Sequence, residues 1–394
     1  MKNLFTYENK LLFVLFLTFG LIFMDKMSFT FLLPFIQKDL GFNNTQSGLV
    51  LGILSAFFGI STLVFSVYSD IIGSKKKILV AFVVLFSLAT LSVGLISDFN
   101  SMLIIRAIMG ITEGPAVPLI LSTVLAASTV SRRGFNMGFV KGAGPLMSSV
   151  FAPMILIPIA IASNWKWGFY TLAIPGLILS VVLWFFMKEP VFESEEKPNW
   201  GELKGIIKNG NVLLCLLISI FYMTNLISFI GFAPLFWANM KQLPQGDISI
   251  LLTAFGIGCF VWFFVIPMLS DRFGRKPTLS FFALASIALP LVMANFNLSF
   301  TMNIVALLGL TCSMGYMPLF DSVIPSESVP HKYAATVMAL TVLTGEVIGG
   351  TLGPIVAGIM ADKYDLTAPF YVGATAAFIA FLLSLGIKET APAK

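Results

Sequence analysis

Ionisable side chains are scarce in this sequence. Of 394 residues, 24 are Lys or Arg and 19 are Asp or Glu, 11% together, where soluble domains carry about 25%. A soluble surface cannot be built from so few charges. Only one histidine and three cysteines are present. His331 lies in a polar loop, and Cys215, Cys259 and Cys312 fall inside apolar runs, where a thiol behaves as a small hydrophobe. Neither a disulfide framework nor a metal-ligand spacing results. Ser, His and Asp are not arranged for nucleophilic catalysis, and no Gly-rich phosphate loop marks an ATP-driven pump, so enzyme chemistry and bound cofactors or metals are not expected. The net charge of +5 does not point to nucleic acid, because the basic residues are scattered in short loops without interleaved aromatics.

What the chain has is apolar length. Hydrophobic residues make up 57%, with 39 Phe and a mean hydropathy of +0.93, so the solvent is lipid. Runs able to cross ~30 Å of hydrocarbon predict twelve helices near 11–33, 45–67, 78–97, 101–125, 135–160, 167–187, 212–237, 248–268, 278–297, 301–322, 334–361 and 368–387. The first run has no small-residue cleavage site behind it and should remain as a span. An acidic interruption over 188–211 divides the rest six and six, giving bundles at 1–187 and 212–394 joined by a linker, with a brief surface helix expected over Gly201 to Lys208. With both ends inside the cell, 17 Lys and Arg fall in cytoplasmic segments and 4 (Lys38, Lys166, Lys241, Lys363) outside. That asymmetry orients a multi-pass protein of the cell membrane with both termini cytoplasmic.

An internal repeat supports the two halves. Ser69-Asp70-Ile71-Ile72-Gly73-Ser74-Lys75 follows the second span, and Ser270-Asp271-Arg272-Phe273-Gly274-Arg275-Lys276 follows the eighth. Both read Ser-Asp-x-x-Gly-x-Lys, 201 residues apart. Halves repeated in one orientation are the architecture of carriers that rock around a midplane site. In each loop the glycine permits a tight turn, and basic residues can pair with the aspartate or neighbouring helix ends to hold a cytoplasmic gate. Asp70, Gly73, Asp271, Gly274 and Arg275 are the gating candidates. Lys76 and Lys77 serve equally well as plain positive-inside anchors.

Ionisable groups inside a span are costly and turn toward a cavity or a partner. Asp25 and Lys26 in the first span and Arg106 in the fourth fall at similar depths, somewhat external to the midplane, with Glu113 of the fourth span nearer the centre. Arg106 and Glu113 are seven residues apart and share one helix face. Together the four can line one chamber. Arg106 offers a planar fork for a carboxylate or phosphate and Lys26 a mobile positive point, while Asp25 and Glu113 can bind and release a proton. The alternative is a permanent salt-bridge network tying the two helices together. Lys141 precedes Gly142-Ala143-Gly144-Pro145 and either faces the cavity or snorkels to an edge. Glu346, in Gly345-Glu346-Val347-Ile348-Gly349-Gly350, is the coupling candidate of the second half. Tyr222 and Asn225 could bind substrate oxygens, or bond helix to helix. Asp321 lies too near the end of its span to be assigned.

With these residues in view, the chain from about 10 to 388 resembles a major facilitator superfamily transporter, since the duplicated loops are similar to that family's cytoplasmic-loop motif. Ser66 and Ser74 stand where glycine and a basic residue are common in it. Within the superfamily, Arg106-Ala107-Ile108-Met109-Gly110-Ile111-Thr112-Glu113-Gly114-Pro115 resembles the fourth-helix signature of the anion:cation symporters. Asp25-Lys26 resembles their Asp-Arg, and Asn164-Trp165-Lys166-Trp167-Gly168-Phe169-Tyr170 is similar to their segment entering the sixth helix. The Asp-basic and Arg-x-x-x-Gly-x-x-Glu patterns also resemble Spinster-like lipid carriers. The symporter resemblance implies transport of organic anions such as sugar acids and other carboxylates with protons, Lys26 and Arg106 contacting substrate and Asp25 and Glu113 coupling protons. Lys26 in place of arginine removes one bidentate fork. Glu346, where the family commonly has asparagine beside glycines, points either to an additional titrating site or to selection of a less acidic substrate.

The leading expectation is therefore an all-α carrier that takes up a small organic anion with protons, working in the bilayer as a monomer. Proton-driven export of drugs or amphipathic compounds is the competing reading, supported by 39 Phe and 18 Met. A non-transporting sensor of the same fold is disfavoured because no signalling domain is appended.

Overall fold

The computed structural model describes residues 6–72, 74–129, 132–189, 206 and 208–391. Every regular element among them is helical. The apolar helices, in chain order, are α1 (Tyr7–Leu40), α2 (Asn44–Ile72), α3 (Lys75–Val93), α4 (Phe99–Ala127), α5 (Phe135–Ala162), α6 (Trp165–Phe186), α7 (Gly210–Met240), α8 (Gln245–Phe273), α9 (Arg275–Asn295), α10 (Phe300–Ser313), α11 (Thr336–Lys363) and α12 (Ala368–Ser384). Ten are long and apolar enough to cross a membrane, and α10 and α12 are the two shorter ones. The expected surface helix at Gly201 to Lys208 lies almost wholly outside the described residues.

Several helix borders follow polar capping residues rather than the edges of the apolar runs. α1 extends beyond the expected 11–33 because the polar residues on either side continue its hydrogen bonding. It begins where Thr6 accepts from the Asn9 N–H and ends at Gly41, whose φ of 69° closes the last turn onto Gln37. Asp98 caps α4 through the N–H groups of Asn100 and Ser101, and Asn164 and Asn209 do the same for α6 and α7.

Two compact units result. One gathers α1, α2 from Phe57 onward, α3 to α6, and Gln245–Thr253 at the start of α8. In it, Ser249 donates to the Pro153 carbonyl at 2.8 Å. The other gathers Asn43–Ala56, α7, the remainder of α8 and α9 to α12. There the Asp362 carboxylate, at the end of α11, accepts from the backbone N–H of Asn44 (3.0 Å) and of Thr45 (2.8 Å) and from the Thr45 hydroxyl (2.6 Å). It satisfies donors that the first turn of α2 cannot satisfy within its own helix.

Interruptions inside the helices bear on the chemistry. α4 breaks at Gly114-Pro115. π-helical turns occur at Leu146–Phe151, Phe236–Met240, Leu319–Val323 and Gly345–Gly349, the first two just after Pro145 and Pro234. Such turns add a residue and re-aim side chains, often at functional sites. The last two carry Asp321 and Glu346.

Candidate functional site

The first unit buries all four of its predicted charges: Asp25 and Glu113 are 0% exposed, Arg106 1% and Lys26 4%. Glycine and small residues make this possible. Ser61 of α2 donates to the Gly110 carbonyl of α4 at 3.1 Å, and Gly114 is pressed so close that an added Cβ would stand 2.3 Å from the Phe58 carbonyl oxygen. This contact holds α4 where Arg106 and Glu113 reach α1. Gly114→Ala is expected to destabilise the protein by about 1–3 kcal/mol through overpacking, measured as a lower melting temperature in detergent.

Within the chamber, Arg106 donates from Nη2 to the Lys26 carbonyl at 3.4 Å. Its guanidinium carbon lies 5.1 Å from the centre of the Phe29 ring. Lys26 Nζ stands 4.2 Å over the Phe58 ring, so both cations rest on aromatic faces. Asp25 and Glu113 are neighbours of one another and of Arg106, and Glu113 is also within electrostatic range of Lys26. Thr90 of α3 donates to Asp25 Oδ2. The remaining polar atoms are unusual for a buried cluster. Arg106 Nε and Nη1 have no hydrogen-bond partner within the described protein, and the Glu113 carboxyl meets no donor there except the Asp25 carboxyl, acid against acid. A permanent salt-bridge network would saturate such atoms, because unpartnered buried polar groups are costly. Lys141 is half-buried on α5.

In the second unit, Tyr222, Asp321 and Glu346 line one small cavity with Ser219, Thr341 and Gly345. Both acids reach it from their π-helical turns. The Tyr222 hydroxyl is engaged elsewhere, donating to the Met314 carbonyl at 2.5 Å. Asn225 is fully buried against Met314, and its Oδ1 would lie 2.8 Å from a Cβ on Gly373, so it packs among α7, α12 and the segment after α10.

The second repeated loop is built as a clasp. Arg275 pairs with Asp271 one turn earlier, with Glu327 at 2.9 Å and with the Ser270 hydroxyl at 2.8 Å. Gly274 between α8 and α9 has φ +99°, a conformation that L side chains rarely adopt. In the first loop, the Asp70 side chain and Gly73 lie outside the described residues.

Two carboxylates absent from the expectations complete these loops. Glu189 accepts from the Lys76 N–H (3.1 Å) and the Ser74 hydroxyl (3.5 Å) at the start of α3. Glu389 accepts from the N–H groups of Arg275 (2.8 Å) and Lys276 (3.1 Å) at the start of α9. Each is the second residue of a Lys-Glu pair, 188–189 and 388–389, a 200-residue spacing that extends the repeat. Partial burial pushes the Glu389 carboxyl up, but the N–H groups of Ala391, Arg275, Lys276 and Thr390 outweigh this and hold it below the ordinary glutamate value. A depressed folded value stabilises above the unfolded one and is lost as pH falls through it. Wild type is therefore expected to lose thermal stability below about pH 4 more steeply than Glu389→Gln, whose deficit at neutral pH should vanish on acidification.

The family model of the Major Facilitator Superfamily matches residues 15–347. The chain belongs to this superfamily. It is accordingly a secondary transporter rather than an enzyme, embedded in a lipid bilayer as a multi-pass protein. Superfamily relatives include the "Hexuronate transporter" of Bacillus subtilis (strain 168), 32% identical over 62% of this chain and 60% of that protein. The chain thus spans less than two thirds of that relative. The "Probable sulfoacetate transporter SauU" of Cupriavidus necator is 23% identical over 98% of this chain and 95% of its own. Among solved structures, the nucleoside transporter NupG superposes with a TM-score of 0.77 at 16% identity, over 95% of this chain and 97% of that one. A bacterial homologue of the human lysosomal transporter Spinster, inward-facing and unoccupied, gives 0.75 at 18%, over 97% and 98%. At these identities the structural likeness shows the fold alone.

Proposed function

We propose that this superfamily member takes up a small organic anion, a sugar acid or other carboxylate, together with protons, by alternating access. The observation that carries the reading is the buried pair Arg106 and Glu113. A guanidinium with Nε and Nη1 free beside a carboxyl hydrogen-bonded only to a second carboxyl, that of Asp25, suits a planar anion on one side and a proton on the other. Lys26 adds positive charge on the anion's side, and Asp25 a second proton acceptor. In the second half, Glu346 faces the cavity lined also by Asp321 and Tyr222 and serves as a further coupling group. Tyr222 and Asn225 act mainly by shaping the wall, and Lys141 by adding charge at the edge.

In this reading the six-helix bundles 1–187 and 212–394 move about the linker 188–211, both termini face the cytoplasm, and Asp271, Gly274 and Arg275, with Asp70 and Gly73 in the first half, form the cytoplasmic gate. Hexuronates are the first candidates, because a 32% identical relative is named for them. The test is uptake from a panel of hexuronates, sulfonates and other carboxylates into sealed vesicles, with pH and voltage imposed separately. Accumulation of an anion driven by an inward proton gradient is expected. Uptake of cationic amphiphiles in place of every anion would overturn the reading.

A further inference from the structure

Thr90 on α3 reaches the buried quartet from outside it. Its hydroxyl bonds to Asp25 Oδ2 and also lies 2.9 Å from the Phe86 carbonyl of its own helix. A hydroxyl has one proton to donate and lone pairs to accept, so it can serve these two acceptors only one at a time. Beside an ionised Asp25, which can only accept, the proton must point at the carboxylate. Beside an Asp25 protonated on Oδ2, the carboxyl donates to Thr90, whose own proton then turns to Phe86. The contact persists in both states while its direction reverses. Only the ionised state makes it a charge-assisted bond, roughly twice as strong as a neutral one.

The geometry points to Thr90 as a positioning residue that governs proton uptake at Asp25 and binds α3 to α1 more firmly when Asp25 is ionised. This rests on the proton-coupled reading above. The other groups around Asp25 are ionisable, Arg106 acting on it through charge and Glu113 through a carboxyl-to-carboxyl hydrogen bond. Arg106 and Glu113 face it from α4, and Lys26 follows it on α1. α5, which packs on α1 where Gly144 meets Phe19, carries Lys141, while α2 presents the Phe58 ring beside Lys26. α6, also packed on α1, has its ionisable residues, Lys166 and Tyr170, near its beginning. Thr90 is neutral. Removing its hydroxyl therefore deletes a hydrogen bond without altering the charge of the chamber, which separates its effect from theirs.

Protonated-carboxyl infrared bands of the purified full chain, titrated with pH and no substrate, test the inference, with the Asp25 band assigned by its loss in Asp25→Asn. Thr90→Val is expected to move the Asp25 midpoint up by about one pH unit, tenfold in proton affinity, and Thr90→Ser to leave it near wild type. Thr90→Ala gives the same comparison where the valine variant does not fold. An unmoved midpoint in Thr90→Val and Thr90→Ala, or an equal shift in Thr90→Ser, overturns the assignment while leaving proton coupling standing. The absence of any Asp25 titration overturns it as well. A shifted midpoint in a protein whose uptake ignores the proton gradient supports the Thr90 assignment and removes the coupling reading instead.

Discussion

Arg106→Lys is expected to insert and fold like wild type and to bind hexuronate about ten- to a hundredfold more weakly. The lysine keeps the positive charge that Glu113 and Asp25 balance, so the buried chamber loses no countercharge. It lacks the planar fork, however, and the free Nε and Nη1 donors of Arg106 have no equivalent on a single ammonium. Hydrogen bonds to charged groups contribute about 1.5–3 kcal/mol each, which sets that range at about 1.4 kcal/mol per decade. The ring stacking on Phe29 weakens too. Isothermal titration on matched, monodisperse proteins would measure the loss. Full affinity in the lysine variant would mean that Arg106 balances the two acids and nothing more.

Much of this site was legible in the sequence, for physical reasons that particular residues make clear. Charges cannot hide inside apolar runs, so Asp25, Lys26, Arg106 and Glu113 stood out, and helical spacing alone put Arg106 and Glu113 on one face. The repeated loops likewise announced Asp271 and Arg275, which pair four residues apart across the turn at Gly274, from the end of α8 to the start of α9. Thr90 was not legible. A threonine in a span is ordinary, and only the packing of α3 on α1 gives its hydroxyl an acid to meet. Glu189 and Glu389 were recoverable, since the Lys-Glu pairs repeat at nearly the spacing of the loops, but their partners are backbone N–H groups that no side-chain pattern reveals.

The second half was harder to read because its acids depend on backbone irregularities. The apolar run places Asp321 at the end of a continuous tenth span over 301–322. The chain instead leaves α10 at Ser313, turns, and forms a π-helical turn at Leu319–Val323 that aims Asp321 into the cavity of Glu346. Helical phase counted across such a turn points to the wrong face. Tyr222 and Asn225, three residues apart on α7, both reach Met314 just beyond α10, but only the Tyr222 ring also lines the cavity, while the Asn225 amide packs toward α12.

The largest effect on energy coupling is expected at Glu113. Glutamine has the shape of a protonated glutamate and cannot release the proton, so Glu113→Gln fixes the chamber in the state that binds an anion. Arg106 and Lys26 then outweigh Asp25, and anion affinity should hold or rise at neutral pH. What is lost is the link to the gradient: with one coupled proton, each pH unit supplies about 1.4 kcal/mol, about a tenfold accumulation, and a site that never titrates cannot use it. Exchange of labelled for unlabelled anion needs no net proton movement and should continue at a rate comparable to wild type. A purely structural Glu113 would behave differently. Its carboxyl finds no hydrogen-bond partner within the described protein except the Asp25 carboxyl, so neutralising it would mainly relieve a buried charge, raising stability and leaving the pH dependence of uptake intact. Proteoliposomes carrying wild type or Glu113→Gln, assayed for gradient-driven accumulation and for exchange without a gradient, separate the two cases. Accumulation that still follows the imposed pH would move the coupling proton to Asp25 or Glu346.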